Sequence, residues 1–433
     1  MSAPSLPSHG SKPLRGREPT VPAARAGTWV GRTILAVVIG VMAVTALYTV
    51  REGLKGLVWQ SDWTAESGGG AIDLRLRQRE VQRWFAGLPA RSDDDPATYI
   101  TYPPASYVIL WPLLGWMPLE PARGFWAAIS LAALAWLCGF LVRHGCGRSL
   151  PESAAAVLIP LSMAGTRVCL ANGQLTFMLV PLIATGALLL AREKCDWRCD
   201  IAGSAMILAA LVKPTIAAPF FLVVLVTLRR LRPAALIAGG YAALSLFAVS
   251  FQPAPIVTAL TQWARHGATS LATPRGEGNL QAWLAGAGLG RWVVPAALLA
   301  LAALAVWLYH HREDEPWLLL GVAAIVARIW TYHWGYDDLL LLLPMITLAR
   351  LGGDPATPRF RRRVAVTLLA LGWLTLLDMS WTWGLTRIPV WSHAPGVVWL
   401  TVLAFLVRQP APVVPPAGPG DAPVVAPQRA PSS

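Results

Sequence analysis

Residues 122–143 read ARGFWAAISLAALAWLCGFLVR, an almost unbroken apolar run. A helix of this length would cross the roughly 30 Å hydrocarbon core of a bilayer. Comparable runs recur along the 433 residues, of which 55% are hydrophobic and only 14% are charged. The sequence therefore predicts an all-α polytopic membrane protein. A soluble enzyme, a disordered protein and a secreted disulfide scaffold are excluded.

The apolar runs predict about twelve membrane spans inside a transmembrane domain over residues 33–408. They lie near residues 33–50, 122–143, 152–170, 175–192, 199–212, 214–229, 233–251, 292–309, 316–331, 337–350, 363–378 and 391–407. Residues 103–117 are also apolar, but they are few and contain Pro112, which predicts a re-entrant or membrane-surface segment. Residues 1–32 and the Pro-rich residues 409–433 are predicted to be disordered cytoplasmic tails.

Basic residues predict the orientation of the spans. The net charge is +13, and most Lys and Arg residues fall in the tails and in alternate short loops, such as the cluster at residues 359–363. The positive-inside rule places those loops and both termini in the cytoplasm, which predicts a multi-pass protein of the cytoplasmic membrane. Loops that face membrane lipids account for the charge, so we expect no nucleic-acid partner. Two outer loops follow, over residues 51–121, including the re-entrant segment, and 251–291.

Polar motifs gather on one side of this predicted topology. They are Asp73, Tyr102-Pro103-Pro104, Asn172-Gly173-Gln174, Lys213-Pro214, Asn279-Leu280-Gln281 and Tyr332-His333-Trp334, all at outer ends of spans or in outer loops. Such clustering predicts a site at the outer membrane–water boundary. A transporter more often has polar groups near mid-membrane on broken helices.

Asp73 stands near the start of a predicted amphipathic helix on the membrane surface. Leu74, Val81, Trp84 and Phe85 share one face of it, and Arg75, Arg77, Arg79 and Arg83 interrupt the rest. Solvated side chains are the default interpretation of these arginines, and binding of lipid phosphate is the alternative. For Asp73 two interpretations remain open, a helix N-cap and a general base.

Two further residues have both a structural and a functional interpretation. Lys213 interrupts an apolar stretch, where it either snorkels to the membrane surface or binds a lipid phosphate, and Pro214 predicts a break between two helices. His333 lies in an aromatic segment, where it is either structural or part of the site. Asp337 and Asp338 either cap the next helix, or Asp337 orients His333.

The order of these motifs resembles glycosyltransferase family 87. The resemblance is carried by an acidic residue after the first span, a YPP sequence at 102–104, GQ at 173–174, KP at 213–214, an N-x-Q element at 279–281 and a histidine in a late outer loop. It implies a bundle of the GT-C class, a group that includes polyprenyl-phosphate-mannose-dependent mannosyltransferases.

The resemblance also implies roles for individual residues. Asp73 would be the catalytic base, and His333 would act beside the donor phosphate. The remaining members of the implied site bind substrate: Tyr102, Pro103, Pro104, Asn172, Gln174, Lys213, Asn279 and Gln281.

The implied reaction moves a sugar, mannose in the first instance, from a polyprenyl-phosphate donor to a lipid-linked or envelope glycan acceptor outside the cytoplasmic membrane. A single carboxylate suffices for an inverting displacement, and the scheme requires neither a metal nor another cofactor. A transporter or flippase of a lipid-linked substrate is the alternative.

Overall fold

A computed structural model describes residues 29–59, 70–90, 102–145, 149–192, 196–227, 231–272, 278–378 and 389–409. Within these ranges the chain is helical and contains no named strand. One isolated antiparallel bridge joins Met163 to Leu377. The predicted tails fall almost entirely outside the described residues.

Between residues 29 and 249 the described part of the chain forms ten α-helices, several of which begin with or contain a proline. They are α1 (Trp29–Leu54), α2 (Ile72–Phe85), α3 (Pro104–Leu114), α4 (Leu119–His144), α5 (Leu150–Leu161), α6 (Ala164–Asn172), α7 (Thr176–Leu190), α8 (Trp197–Ala210), α9 (Pro214–Thr227) and α10 (Leu231–Val249).

The described residues beyond 249 form α11 (Ile256–Ala272), α12 (Leu280–Gly286), α13 (Val293–His310), α14 (Pro316–Ile329), α15 (Leu342–Gly353), α16 (Arg359–Leu376) and α17 (Pro389–Leu406). A 3₁₀-helix, Gly335–Leu341, leads into α15.

Among the residues that the structure describes, four helical segments are long and apolar enough to cross a membrane, namely Leu35–Trp59, Leu119–His144, Leu231–Val249 and Gly290–His310. Helices α6 and α7 form a fifth candidate, a pair bent by 114°. These segments agree with a membrane protein. The count of twelve spans stays a prediction, although each predicted span overlaps one helix or two consecutive ones.

The predicted span over 152–170 is interrupted between α5 and α6. Met163 has an extended backbone (φ −77°, ψ 138°), and its neighbour Ser162 accepts a hydrogen bond from the Asp378 backbone N–H at 2.8 Å. Because this segment bonds to residues beyond α16, it cannot continue the helical ladder through itself.

Helix α2 forms where the amphipathic pattern predicts it, with Leu74, Val81 and Trp84 buried. The Trp84 indole N–H donates to the Ala248 carbonyl at 2.8 Å, so α2 is fastened to the end of α10. The prediction that the α2 arginines are solvated is wrong for Arg77, which is buried and forms an ion pair with Glu80 at 2.5 Å. The basic side chain is accommodated because a carboxylate one turn away neutralises it.

Candidate functional site

The turn between α6 and α7 sets the position of α2. Gly173 has φ +68°, and a Cβ there would lie 2.7 Å from the Leu74 Cβ, so only glycine fits. The Ala71 backbone N–H donates to the Ala171 carbonyl at 2.9 Å. These contacts hold the first turn of α2 against the turn that carries Gln174.

Gln174 and Asp73 meet at this junction, as the predicted clustering requires. The Gln174 Nε2 donates to Asp73 Oδ2 at 2.5 Å. The N-cap interpretation of Asp73 is wrong, because Ala71 holds the N-cap position and no side chain caps the helix. Asp73 is instead free to direct its carboxylate toward the other polar side chains.

The electrostatic surroundings of Asp73 favour a basic carboxylate. Burial raises the pKa of its carboxyl above the ordinary value, while Arg77, the Gln174 hydrogen bond and Lys213 pull it back. The residue is only partly buried, so solvent or a ligand can reach it. A raised pKa makes the carboxylate a better proton acceptor than an exposed aspartate.

A second group of contacts centres on Asp337. The Lys213 Nζ lies 2.7 Å from Asp337 Oδ1, and the Thr176 hydroxyl donates to the same oxygen at 2.9 Å. His333 Nδ1 lies 2.8 Å from Asp337 Oδ2. The two groups are neighbours, because Thr176 is two residues after Gln174 and because Lys213 and Asp337 both act electrostatically on Asp73. We call them together the carboxylate cluster: Asp73, Gln174, Thr176, Lys213, His333 and Asp337.

Lys213 lies in the break between α8 and α9, with Pro214 beginning α9 as predicted. Its ammonium is buried, 4.8 Å from the centre of the Tyr336 ring. The snorkelling interpretation is therefore wrong, because an ion pair inside the protein replaces the solvent that snorkelling would supply.

His333 is fully buried and held by one ring nitrogen. A carboxylate can only accept, so the Nδ1 proton is donated to Asp337, and Nε2 carries the lone pair when the ring is neutral. Burial lowers the pKa of His333, which favours that neutral form. Nε2 is buried and has no hydrogen-bond partner among the residues that the structure describes. Asp337 thus orients His333, and capping by Asp337 is wrong because Trp334 is the N-cap residue of that 3₁₀-helix.

The YPP sequence adjoins the cluster from the other side. Tyr102 is buried, with the Arg77 guanidinium 4.2 Å above its ring. Pro103 is the N-cap residue of α3 and Pro104 its first helical residue, positions that suit proline. The Ser106 hydroxyl donates to the Val212 carbonyl at 2.8 Å, which joins the start of α3 to the residue before Lys213.

The remaining predicted site residues show local roles. Asn279 is the N-cap residue of α12, and its Oδ1 accepts from the Ala282 backbone N–H at 2.9 Å. Gln281 is buried in the same short helix, and Asn172 is buried beside Gly173 at the end of α6. Substrate binding by these three residues stays a prediction.

Two contacts of the cluster and its surroundings are not indicated by the sequence motifs. The sequence presents Asp337 as a cap or as a partner of His333, but not as the partner of Lys213. It presents Arg77 as one of several solvated arginines, but not as a buried partner of Glu80. Helical spacing signals the Arg77–Glu80 pair, since the two residues are three apart. No local signal indicates the Lys213–Asp337 pair, whose members are 124 residues apart.

Comparison with known families gives one match. The model of Glycosyltransferase family 87 matches residues 99–331, more than half of the chain. The matched range contains Tyr102, Gln174 and Lys213, whereas Asp73 and His333 lie outside it and join it through the hydrogen bonds described above. No curated protein and no solved structure matches the chain.

Proposed function

Because the chain belongs to glycosyltransferase family 87, it is a membrane glycosyltransferase, and we propose that its donor is a polyprenyl-phosphate sugar. The sugar is mannose in the first instance, and the acceptor is a lipid-linked or envelope glycan at the outer face of the cytoplasmic membrane. We further propose a GT-C-like bundle with about twelve spans and both termini in the cytoplasm.

One observation carries the proposal. The Asp73–Gln174 hydrogen bond and the Lys213–Asp337–His333 contacts unite a partly accessible carboxylate with a buried cation and a buried imidazole. The same cluster contacts the family-matched region through Gln174 and Lys213. Such a group of polar side chains at one end of apolar helices is costly to bury and is typical of a functional site.

Asp73 acts as the general base of an inverting displacement. The acceptor hydroxyl oxygen attacks the anomeric carbon and passes its proton to the Asp73 carboxylate. The bond from the anomeric carbon to the phosphate oxygen breaks, and its electron pair leaves on that oxygen. Gln174 holds one carboxylate oxygen in place, so that the base meets the hydroxyl in one orientation.

Lys213 and His333 stabilise the negative charge of the departing phosphate. Asp337 neutralises Lys213, and the pair adds no net charge to the site. When a phosphate arrives, Lys213 shares its ammonium hydrogens between Asp337 and the phosphate. The negative charge of the phosphate favours protonation of the otherwise neutral His333, which then donates through Nε2. Asp337 therefore stabilises the buried Lys213 and His333, and an anionic donor takes over part of this stabilisation when it binds.

The position of the cluster supports the proposed orientation. His333 follows the carboxyl end of α14, whereas Glu315 precedes its amino end and accepts a hydrogen bond from Arg350 Nε at 2.9 Å. Basic Arg350 and the cluster therefore lie at opposite ends of α14. This arrangement agrees with a cytoplasmic basic face and an outer catalytic face.

The test is sugar transfer in membranes that contain the full-length protein. Radiolabelled polyprenyl-phosphate-mannose is the donor, native lipid extract is the acceptor, and Asp73→Asn is compared with the unaltered chain. We expect Asp73→Asn to lower the transfer rate by about 10²- to 10⁴-fold, since it keeps the Gln174 contact and removes the base.

The matched control is Asp354→Asn. Asp354 is exposed at the far end of α15, and the asparagine can still accept the Ala356 backbone hydrogen bond. We expect transfer at the unaltered rate. Equal transfer by the Asp73 variant would reject Asp73 as the base, and an absence of transfer by the unaltered chain would reject this donor–acceptor pair.

A further inference from the structure

Helix α16 begins with a dense group of positive charges, far from the carboxylate cluster. Its first five residues include four arginines: Arg359, Arg361, Arg362 and Arg363. The first turn contains no acidic residue. In the part of the chain that the structure describes, no carboxylate forms an ion pair with any of the four. Because a helix N-terminus is itself partly positive, this end of α16 attracts an anion from outside the chain.

The carboxylates nearest to this group are already engaged. Asp354, in the loop before α16, accepts hydrogen bonds from the Ala356 backbone N–H at 2.9 Å and from the Thr357 hydroxyl at 3.1 Å. Glu315 accepts a hydrogen bond from Arg350 Nε, in the helix that packs against the start of α16. The charge of the α16 arginines is therefore available to a ligand.

One exposed stripe of α16 joins two of these arginines to an apolar track. Arg359, Arg363, Val366, Ala370 and Leu374 are all exposed, and their spacing of three or four residues places them on one face of the helix. The stripe is about 22 Å long in a helix. It is cationic at one end and apolar over the rest of its length, which complements an anionic lipid and its hydrocarbon chain. We call it the α16 stripe.

An aromatic side chain marks the level of the membrane surface beside the stripe. Phe360 is 77% exposed between the arginines. Exposed phenylalanine next to basic side chains is typical of the boundary between lipid headgroups and hydrocarbon. The guanidinium groups of α16 then lie at the level of the headgroups, where they can bind a phosphate in a bidentate manner.

We infer that the α16 stripe binds an anionic phospholipid of the adjoining leaflet. Arg359 and Arg363 hold the phosphate, and an acyl chain lies along Val366, Ala370 and Leu374. A soluble anion would use the arginines and leave the apolar track uncovered. A zwitterionic phospholipid carries an amine that offsets its phosphate, so it is bound less well. The inference goes beyond the proposed function and does not depend on sugar transfer.

The test is photolabelling of the full-length protein in nanodiscs. Phosphatidylglycerol with a diazirine in its acyl chain is compared with phosphatidylethanolamine that carries the same chain, and labelled peptides are mapped by mass spectrometry. An arginine near an anionic lipid surface favours binding by about fivefold. With two arginines in the stripe, we expect phosphatidylglycerol to label residues 366–374 about 10- to 30-fold more strongly.

Variants separate the stripe from the general charge of the protein. Arg359→Gln/Arg363→Gln should bring the labelling of residues 366–374 by the two lipids to within about twofold of each other. The matched control is Arg143→Gln/Arg312→Gln, which removes two exposed arginines near the ends of α4 and α13. It changes the net charge equally and should keep the preference for phosphatidylglycerol.

The unaltered chain provides a measurement that does not depend on how the variants fold. Raising the salt concentration from about 0.1 M to about 1 M shortens the Debye length from about 10 Å to about 3 Å, and it should remove most of the preference. Unlabelled phosphatidylglycerol should compete with the label, whereas glycerol phosphate, which has no chain, should not.

Several results would overturn the inference. They are equal labelling by the two lipids, a preference that persists in Arg359→Gln/Arg363→Gln, and an equal loss of preference in the control variant. A preference that high salt does not change would exclude recognition by charge. Competition by glycerol phosphate as strong as by phosphatidylglycerol would show that the stripe binds a free phosphate and not a lipid.

Discussion

Replacing Lys213 by methionine tests the buried ion pair at the centre of the carboxylate cluster. The two side chains are 7% and 2% exposed, and 2.7 Å separates Nζ from Oδ1. At an effective dielectric constant of about 20, this distance corresponds to about 6 kcal/mol of attraction, much of it offset by desolvation. Loss of one partner from a buried pair costs about 3–5 kcal/mol, because the other charge is left without compensation.

We therefore expect Lys213→Met to lower the free energy of unfolding by about 3–5 kcal/mol. The double variant Lys213→Met/Asp337→Asn removes both charges and should recover most of this loss. Unfolding is measured by titration of mixed micelles with a denaturing detergent, followed through tryptophan fluorescence. Equal losses in the single and the double variant would refute the argument that Asp337 becomes a stranded charge.

The pH dependence of the free energy of unfolding gives a second test of the same ion pair. In the unaltered protein burial lowers the pKa of His333. This residue therefore contributes stability at pH values above its unfolded pKa, and this stability is lost as the pH falls below the unfolded pKa toward the folded one. In Lys213→Met, an uncompensated Asp337 should raise the pKa of His333 above its unfolded value. The stability that His333 contributes is then fully present below its unfolded pKa, and it is lost as the pH rises through its folded pKa.

The variant should therefore lose less stability, relative to the unaltered protein, at about pH 5.5 than at about pH 8, with a slope of at most about 1.4 kcal/mol per pH unit. The control compares Lys213→Met/His333→Gln with His333→Gln, neither of which can take up this proton, and the difference between these two should show no such slope. A difference between Lys213→Met and the unaltered protein that does not change with pH would show that His333 does not respond to Asp337.

Two further changes test how Asp73 is positioned and charged. Gly173→Ala places a Cβ 2.7 Å from a neighbouring Cβ at φ +68°. We therefore expect thermal unfolding to show a loss of about 1–3 kcal/mol of stability, together with reduced sugar transfer. The control is Gly239→Ala, where nothing lies within 4 Å of the added Cβ, and it should be neutral or stabilising. Arg77→Gln/Glu80→Gln removes the arginine that lowers the pKa of Asp73. Loss of transfer on acidification should then begin at a higher pH, and an unmoved pH profile would contradict Asp73 as the titrating base.

The local features of the fold were predictable because they depend on neighbouring residues. Helix α2 has its apolar face where the spacing of Leu74, Val81 and Trp84 predicts it, and Pro214 separates α8 from α9. The break at Met163 was not predictable, since it depends on residues beyond α16 that lie more than two hundred positions away. The burial of Arg77 was also not predictable from the sequence, because it depends on how α2 packs.

The sequence by itself determined the class of the protein, its family and the identity of most members of the carboxylate cluster. Long apolar runs and short motifs are formed by contiguous residues, so they can be recognised in the sequence alone. Only the tertiary structure decided which polar groups meet: Gln174 is 101 residues from Asp73, and Lys213 is 124 residues from Asp337. A buried charge requires a partner, but helix packing alone decides which partner comes within reach.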